Sequence, residues 1–266
     1  MDKRSIELRK TMVRVLGASR RGHLGSALST VEILRMLYDE VLRYDPKNPK
    51  WPSRDRCILS KGHGCIALYV FLAEKGFFPE SELWKFCQSD GILGGHPEIT
   101  IPGVEASTGS LGHGLSIGVG FALNAQYEKA DYRTFVIISD GEADEGSVWE
   151  AAMCASKHKL SNLTVIVDYN KLQSYDTTFK VQDLEPFSDK WESFGFKVAE
   201  VDGHNMDELR AVFSGLPLHP EKPSAIICHT VKGKGIPSVE NNPAWHHRRG
   251  LTDEEIQSLI QEIEAY

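Results

Sequence analysis

Apolar residues recur at helical spacing in the first stretch of the chain, where Ile6, Met12, Val13 and Leu16 share one face between Ser5 and Ala18. Thr30 to Leu42 repeats the pattern with Val31, Ile33, Leu34, Leu37, Tyr38 and Val41, and predicts a second helix. Three prolines between Tyr44 and Pro52 forbid a helix there and predict a surface loop. Short β-branched runs follow: Cys57 to Leu59, Thr134 to Ile138, Leu163 to Val167 and Ala225 to Cys228. Between them lie amphipathic stretches at Gly112 to Lys129, Ser147 to His158 and Asp207 to Phe213. This alternation predicts one α/β domain over residues 1–266, a mainly parallel sheet flanked by helices on both faces. Thr252-Asp253-Glu254-Glu255 reads as a capping box opening a last helix.

Composition narrows the class. With 266 residues, 41% hydrophobic, 25% charged and a net charge of −7, disorder, collagen-like repeats and a disulfide scaffold are excluded. The acidic balance argues against a broad nucleic-acid surface. Cys57, Cys65, Cys87, Cys154 and Cys228 form no CxxC, so they read as thiols in a reducing compartment. The N-terminus lacks the apolar core of a signal peptide, and no run approaches the ~20 apolar residues of a membrane span. A cytoplasmic protein is expected.

Ligands in a parallel sheet bind at the carboxyl ends of the strands, so the chemistry belongs in the loops there. Ser139-Asp140-Gly141-Glu142 ends one strand, and Asp168-Tyr169-Asn170-Lys171-Leu172 ends the next. Each alone reads as an ordinary turn. Together, one strand–helix–strand unit apart, their carboxylate, amide and backbone oxygens favour a Mg²⁺ site completed by diphosphate oxygens. Ser107-Thr108-Gly109-Ser110-Leu111-Gly112 opens a helix, as a phosphate site or as a simple turn. Lys232-Gly233-Lys234-Gly235 is either a phosphate contact or a solvated turn. His23, His63, His96 and His246 lie in glycine or aromatic loops and suit proton shuttling, and their spacing is wrong for zinc. His158, His204, His219 and His229 lack that context and read as structural.

In combination these motifs resemble the N-terminal, diphosphate-binding part of transketolase. Leu59-Ser60-Lys61-Gly62-His63, Gly95-His96-Pro97-Glu98 and Glu145-Gly146-Ser147-Val148-Trp149-Glu150 carry the same resemblance, which covers nearly the whole chain. It implies the thiamine diphosphate-binding fold, with Asp140, Asn170 and the Leu172 carbonyl holding Mg²⁺ (or Ca²⁺ or Mn²⁺). It implies that Ser26, His63, Gly109, Ser110, Leu111, Gly141, Glu142, Asn170, Lys232 and His246 contact the cofactor. It also implies that His23, His63, His96 and His246 face a reacting sugar, with Glu145 at a subunit interface. The activity implied is transfer of a two-carbon ketol unit from a ketose (phosphate) to an aldose (phosphate), the thiazolium ring acting as electron sink. Ser139 stands where the family usually has glycine, and His113 where glutamine is common. Because the match stops after the first domain, a second subunit carrying the pyrimidine-binding and C-terminal domains is expected, in a heterotetramer of two copies each, with neither nucleic acid nor membrane as partner. The alternatives are a component of a decarboxylating enzyme of the same cofactor class, resembling deoxyxylulose-phosphate synthase or a 2-oxo acid dehydrogenase, and a non-catalytic assembly component.

Overall fold

Strict alternation along the β-branched runs builds the centre of the molecule. In the computed structural model, which describes residues 1–266, strands β2 (Arg56–Leu59), β3 (Thr134–Ser139), β4 (Leu163–Tyr169), β5 (Lys197–Asp202) and β6 (Ser224–His229) form one parallel sheet in the order β2-β3-β4-β6-β5. Register sets Ile137 beside Ile166 and Ile166 beside Ile226, and sets Val136 beside Val165. Successive side chains face opposite ways, so Phe135, Ile137, Ile166 and Ile226 enter one core, and Val136, Ile138, Val165 and Ile227 the other.

Helices α1 (Lys3–Ser19), α2 (Leu24–Leu28), α3 (Val31–Arg35), α4 (Cys65–Glu74), α9 (Met206–Ser214) and α10 (Asp253–Ala265) bury apolar residues in the first core. Helices α5 (His113–Glu128), α6 (Gly146–Lys157) and α8 (Phe187–Ser193) cover the second face, and the single turn α7 (Thr178–Val181) lies outside both cores. Helices on both faces of a mainly parallel sheet are the expected fold class. A separate antiparallel pair joins β1 (Arg21–Gly22) to β7 (Arg248–Arg249). The capping box at Thr252 and Glu255 is formed. No helix is long and apolar enough to cross a membrane.

Three elements depart from expectation. The helix predicted from Thr30 to Leu42 is α3 followed by a π-helical turn over Met36–Val41. Helix α4 escapes the pattern because Cys65 to Ala73 is buried throughout and shows no polar period to mark a face. Strand β5 escapes it for the opposite reason. It is the sheet edge, and Lys197-Val198-Ala199-Glu200-Val201-Asp202 is half charged.

Candidate active site

Parallel strands end on the same side of the sheet, and β2, β3, β4 and β6 are consecutive neighbours. The loops that follow them, at Ser60, Asp140, Asn170 and Thr230, therefore meet at one edge. Beneath them lies a knot of buried polar groups. The Asp168 carboxylate accepts from Lys61 Nζ and Thr230 Oγ1, from Ser29 Oγ at 2.7 Å and from Asn170 Nδ2 at 3.1 Å. Burial disfavours its charge, but Lys61 and the hydroxyl donors hold its pKa below the ordinary value. Lys61 also donates to Ser26 O at 2.9 Å, tying α2 to the knot.

Above the knot is a cavity of about 190 Å³. Ser26, His63, His96, Gly109, Leu111, Gly141, Asn170, Leu172, Lys232 and His246 all line it. Two glycines allow its walls to close. A Cβ on Gly62 would lie 2.8 Å from the Thr108 carbonyl carbon, and Gly109, at φ 143°, sits where a Cβ would be 2.9 Å from the His96 ring. Lys232 is 3% exposed and donates to the carbonyls of Leu172 at 3.0 Å and Gln173 at 3.1 Å. Burial, then the neighbouring Lys61, lowers its pKa to about 8.

Asp140, Asn170 and Leu172 are joined through the β4 loop. Asp140 Oδ2 accepts from Lys171 N–H, and Asn170 Oδ1 accepts from Leu172 N–H at 3.1 Å. Asp140 is 3% exposed and no cationic side chain hydrogen-bonds it. Burial and the charge of Asp168 raise its pKa to about 7. A buried carboxylate without a cation, an amide oxygen and a backbone carbonyl form an all-oxygen set that fits a hard divalent ion. The glycine-walled cavity with Lys232 on its floor fits a diphosphate beside that ion.

The histidines form the mouth. The His23 ring centroid lies 5.3 Å from His63, 6.3 Å from His96 and 5.3 Å from His246. Burial, then repulsion from His246 and His247, lowers the His23 pKa to about 3. Burial and Lys232 lower His246 to about 4, and burial with Lys61 sends His63 well below its usual value. At neutral pH these three rings are uncharged, each with one N–H donor and one acceptor nitrogen.

Not every expected contact joins the cavity. Glu142 is fully buried, and its carboxylate accepts from Ser60 Oγ, from Gly112 N–H at 2.9 Å and from Ser139 N–H at 3.3 Å. Its side chain therefore braces the loops and does not line the cavity, and it takes the Gly112 N–H expected to face an anion. The exposed Ser110 hydroxyl is 3.3 Å from His113 Nδ1 and is also outside the lining. Glu145 is exposed and lines neither this cavity nor the one beside His23. Asp140 borders the neighbouring cavity with Asp144, Tyr169 and Lys171. His158 and His219 lie outside the site, His229 bonds Glu200 at 2.7 Å, and His204 bridges Glu32 (2.9 Å) and Val231 N–H (2.9 Å). Sequence reasoning missed the Lys61–Asp168 pair, whose signal was a charge at the end of each apolar strand run. It also missed His247, whose ring centroid is 4.6 Å from His23.

Comparison with known proteins agrees with this arrangement. The family model "Transketolase, thiamine diphosphate binding domain" matches residues 2–264. One subunit of the apulose-4-phosphate transketolase of Phocaeicola vulgatus is 41% identical over 264 residues, covering 99% of this chain and 93% of that protein. The 6-deoxy-6-sulfo-D-fructose transketolase subunit SqwG of a Clostridium species is 41% identical over 258 residues, covering 97% of this chain and 94% of its own. The transketolase structure from Campylobacter jejuni superposes with a TM-score of 0.91 at 30% identity, covering 99% of this chain and 43% of that one. The chain thus spans less than half of that transketolase and nearly the full extent of the relatives called subunits. It belongs to the transketolase family, as a thiamine diphosphate-binding domain of that family.

Proposed function

We propose that this chain is the N-terminal subunit of a two-chain transketolase that depends on thiamine diphosphate and Mg²⁺ and moves a two-carbon ketol unit from a ketose to an aldose. The observation that carries the reading is the convergence of Lys232, the Asp140–Asn170–Leu172 oxygen set and a neutral histidine cluster at four adjacent strand ends. Asp140, Asn170 and the Leu172 carbonyl would hold the metal; Ser26, Gly109, Leu111 and Lys232 would hold the diphosphate. When bound, thiamine diphosphate supplies a carbon nucleophile and an electron sink.

The chain's own residues do the rest. Neutral His23 and His63 donate N–H bonds to an oxyanion developing on the sugar and accept the proton of an adjacent hydroxyl, and His246, whose Nδ1 accepts from Lys232 Nζ at 3.2 Å, adds a donor through its Nε2–H. A charged imidazolium could not accept that proton, so burial of the cluster sets the protonation state the chemistry needs. The Lys61–Asp168 knot keeps Asn170 and Ser26 in place below.

The relatives named as subunits support a separate partner, which in this reading carries the pyrimidine-binding and C-terminal domains and assembles with this chain as two copies each. Phe179, 72% exposed and lining the cavity that Asp140 borders, and Tyr175, 88% exposed, support a surface that the partner covers. The test is ketol transfer by this chain, by the partner, and by both with cofactor and Mg²⁺. Activity is expected from the mixture alone. Full activity from the isolated chain overturns the two-chain reading, and carbon dioxide release from a 2-oxo acid in place of ketol transfer overturns the reaction.

A further inference from the structure

Lys232 ties three parts of the site together. Its ammonium donates to the carbonyls of Leu172 and Gln173 and, at 3.2 Å, to His246 Nδ1. A lysine stem is flexible, so where the ammonium points depends on how firmly its main chain is held. The loop that carries Lys232 leaves β6 and is pinned at successive residues. Lys232 O accepts from Asn241 N–H at 2.8 Å, and Gly233 N–H donates to Gly25 O at 3.0 Å. Gly233 has φ 85°, and a Cβ there would lie 2.6 Å from Val239 O. Two further anchors are side chains. Val231 N–H donates to His204 Nε2 at 2.9 Å, and Lys234 O accepts from Arg9 Nε at 2.8 Å.

Those two side chains are the ends of one buried network. His204 Nδ1 donates to Glu32 Oε2 at 2.9 Å. The same carboxylate accepts from both Arg9 Nη atoms, at 2.7 and 2.8 Å, and from Ser5 Oγ at 2.7 Å. Arg9 is fully buried and Glu32 nearly so. Burial opposes the Glu32 charge, but hydrogen bonds from His204 and Arg9 hold its pKa well below the ordinary value. Gly203 lets His204 come close, because a Cβ on it would lie 2.5 Å from Thr230 Cγ2. The partners also fix the tautomer. A backbone N–H can only donate, so Nε2 is bare and the ring proton sits on Nδ1, facing Glu32. An ion pair kept for stability alone needs only Arg9 and Glu32. The imidazole extends it by one directed acceptor, aimed at the residue before Lys232.

Resting on the reading of Lys232 as a diphosphate contact, we propose that His204 is a positioning residue for that lysine. It holds the main chain one residue before Lys232, and Arg9 holds it two residues after, with Glu32 joining the two. The ammonium is thereby set against the Leu172 carbonyl and His246 before a ligand enters, and less ordering remains for binding to impose. Without the Nε2 acceptor, the Val231 N–H turns to water, and a bound diphosphate must reverse that movement.

Two substitutions separate the two ring nitrogens. His204→Gln sets an amide oxygen where Nε2 stands and keeps an acceptor for Val231 N–H, but withdraws the donor to Glu32. His204→Asn sets an amide N–H where Nδ1 stands and keeps that donor, but leaves Val231 without its acceptor. Thiamine diphosphate at fixed Mg²⁺ is titrated calorimetrically into each full chain, and urea unfolding of each is followed without ligand. His204→Asn should weaken binding about tenfold and lower the urea midpoint less than His204→Gln, which should bind nearly as the native chain does. Affinities that fall in the same order as the urea midpoints, or that match in the two variants, overturn the proposal. Ring ¹⁵N NMR of the native chain needs no variant. His204 protonated at Nδ1 alone is expected, and a proton on Nε2 overturns the proposal. Absence of thiamine diphosphate binding by the native chain, alone and with its partner, would refute the cofactor reading, and the Lys232 ¹³Cε signal, assigned through Lys232→Arg, would still decide the positioning. His204→Asn should shift that signal and His204→Gln leave it in place; one position in all three chains overturns the proposal.

Discussion

Two polar regions lie one above the other at the carboxyl edge of the sheet, and they are built on opposite rules. The lower one, around Asp168 and Lys61, is charged, has both members fully buried and is saturated with hydrogen bonds. The upper one, around His23, His63 and His246, is held neutral, partly exposed and short of partners. A buried pair whose carboxylate is held by four donors cannot take part in chemistry without losing them. A cluster with free donor and acceptor nitrogens can, and it contributes little to holding the fold. The difference separates stability from reactivity by a single layer of side chains.

The sharpest way to break that contrast is to remove one partner of the lower region. Lys61→Ala leaves the Asp168 charge buried beside Ser29, Thr230 and Asn170 without its cation, and breaking such a pair costs about 3–5 kcal/mol. Urea unfolding of the isolated chain should show a loss of that size; a loss under about 1 kcal/mol would mean that the knot does not hold the fold. The upper region should respond in the reverse sense. His23→Gln is expected to leave the urea midpoint at pH 7.5 almost unchanged and to lower kcat of the reconstituted enzyme about 100-fold, the usual worth of a proton-transfer group. A variant that lost stability and kept its rate would exchange the roles assigned to the two regions.

Asn170 belongs to both regions and so gives a finer test. Its Nδ2 donates to Asp168 and its Oδ1 faces the oxygen set completed by Asp140 and the Leu172 carbonyl. Thiamine diphosphate with Mg²⁺ should raise the thermal midpoint of the native chain, because a ligand bound only by the folded state stabilises it by mass action. Asn170→Ala is expected to weaken that apparent affinity about tenfold, measured as the cofactor concentration needed for half of the shift. An unchanged concentration would remove Asn170 from the metal site.

The two regions also differ in how far the sequence revealed them. Strand-end loops were legible because apolar runs end in Asp140, Asn170 and His63: each alone reads as an ordinary turn, but their combination one strand–helix–strand unit apart does not. What pattern alone could not show was direction. Glu142 lies two residues from Asp140 in an acidic run, yet its carboxylate turns inward to Ser60 and the Gly112 N–H, where the geometry of the loop and not its composition decides. Lys61 and Asp168 come from strands separated by β3, and no local spacing announces a pair that forms only when the sheet assembles. The fold showed the same limit at α4 and β5, one too uniformly apolar and the other too charged to carry the period of its own element.

The smallest expected effect separates the regions by pH. The His23 pKa is lowered to about 3 in the folded chain, first by burial and then by His246 and His247, against about 6.5 when unfolded. Between those values the unfolded chain binds the additional proton, so stability is complete above pH 6.5 and falls as pH drops toward 3. His63 and His246 are shifted the same way and add to the slope. Asp168 is also shifted down, but its window lies below the ordinary Asp value of 3.8, so between about pH 6.5 and 4 the histidines titrate and the knot does not. Because the His23 ring is partly exposed, solvent reduces its share below the full one-proton slope. The measurement is the urea midpoint from pH 7.5 to 4.5 for the native chain and for His23→Gln. The variant should lose less stability across that interval while matching the native chain at pH 7.5. Parallel curves would mean that His23 titrates alike in both states, and the neutral cluster above the charged knot would then not be set by burial.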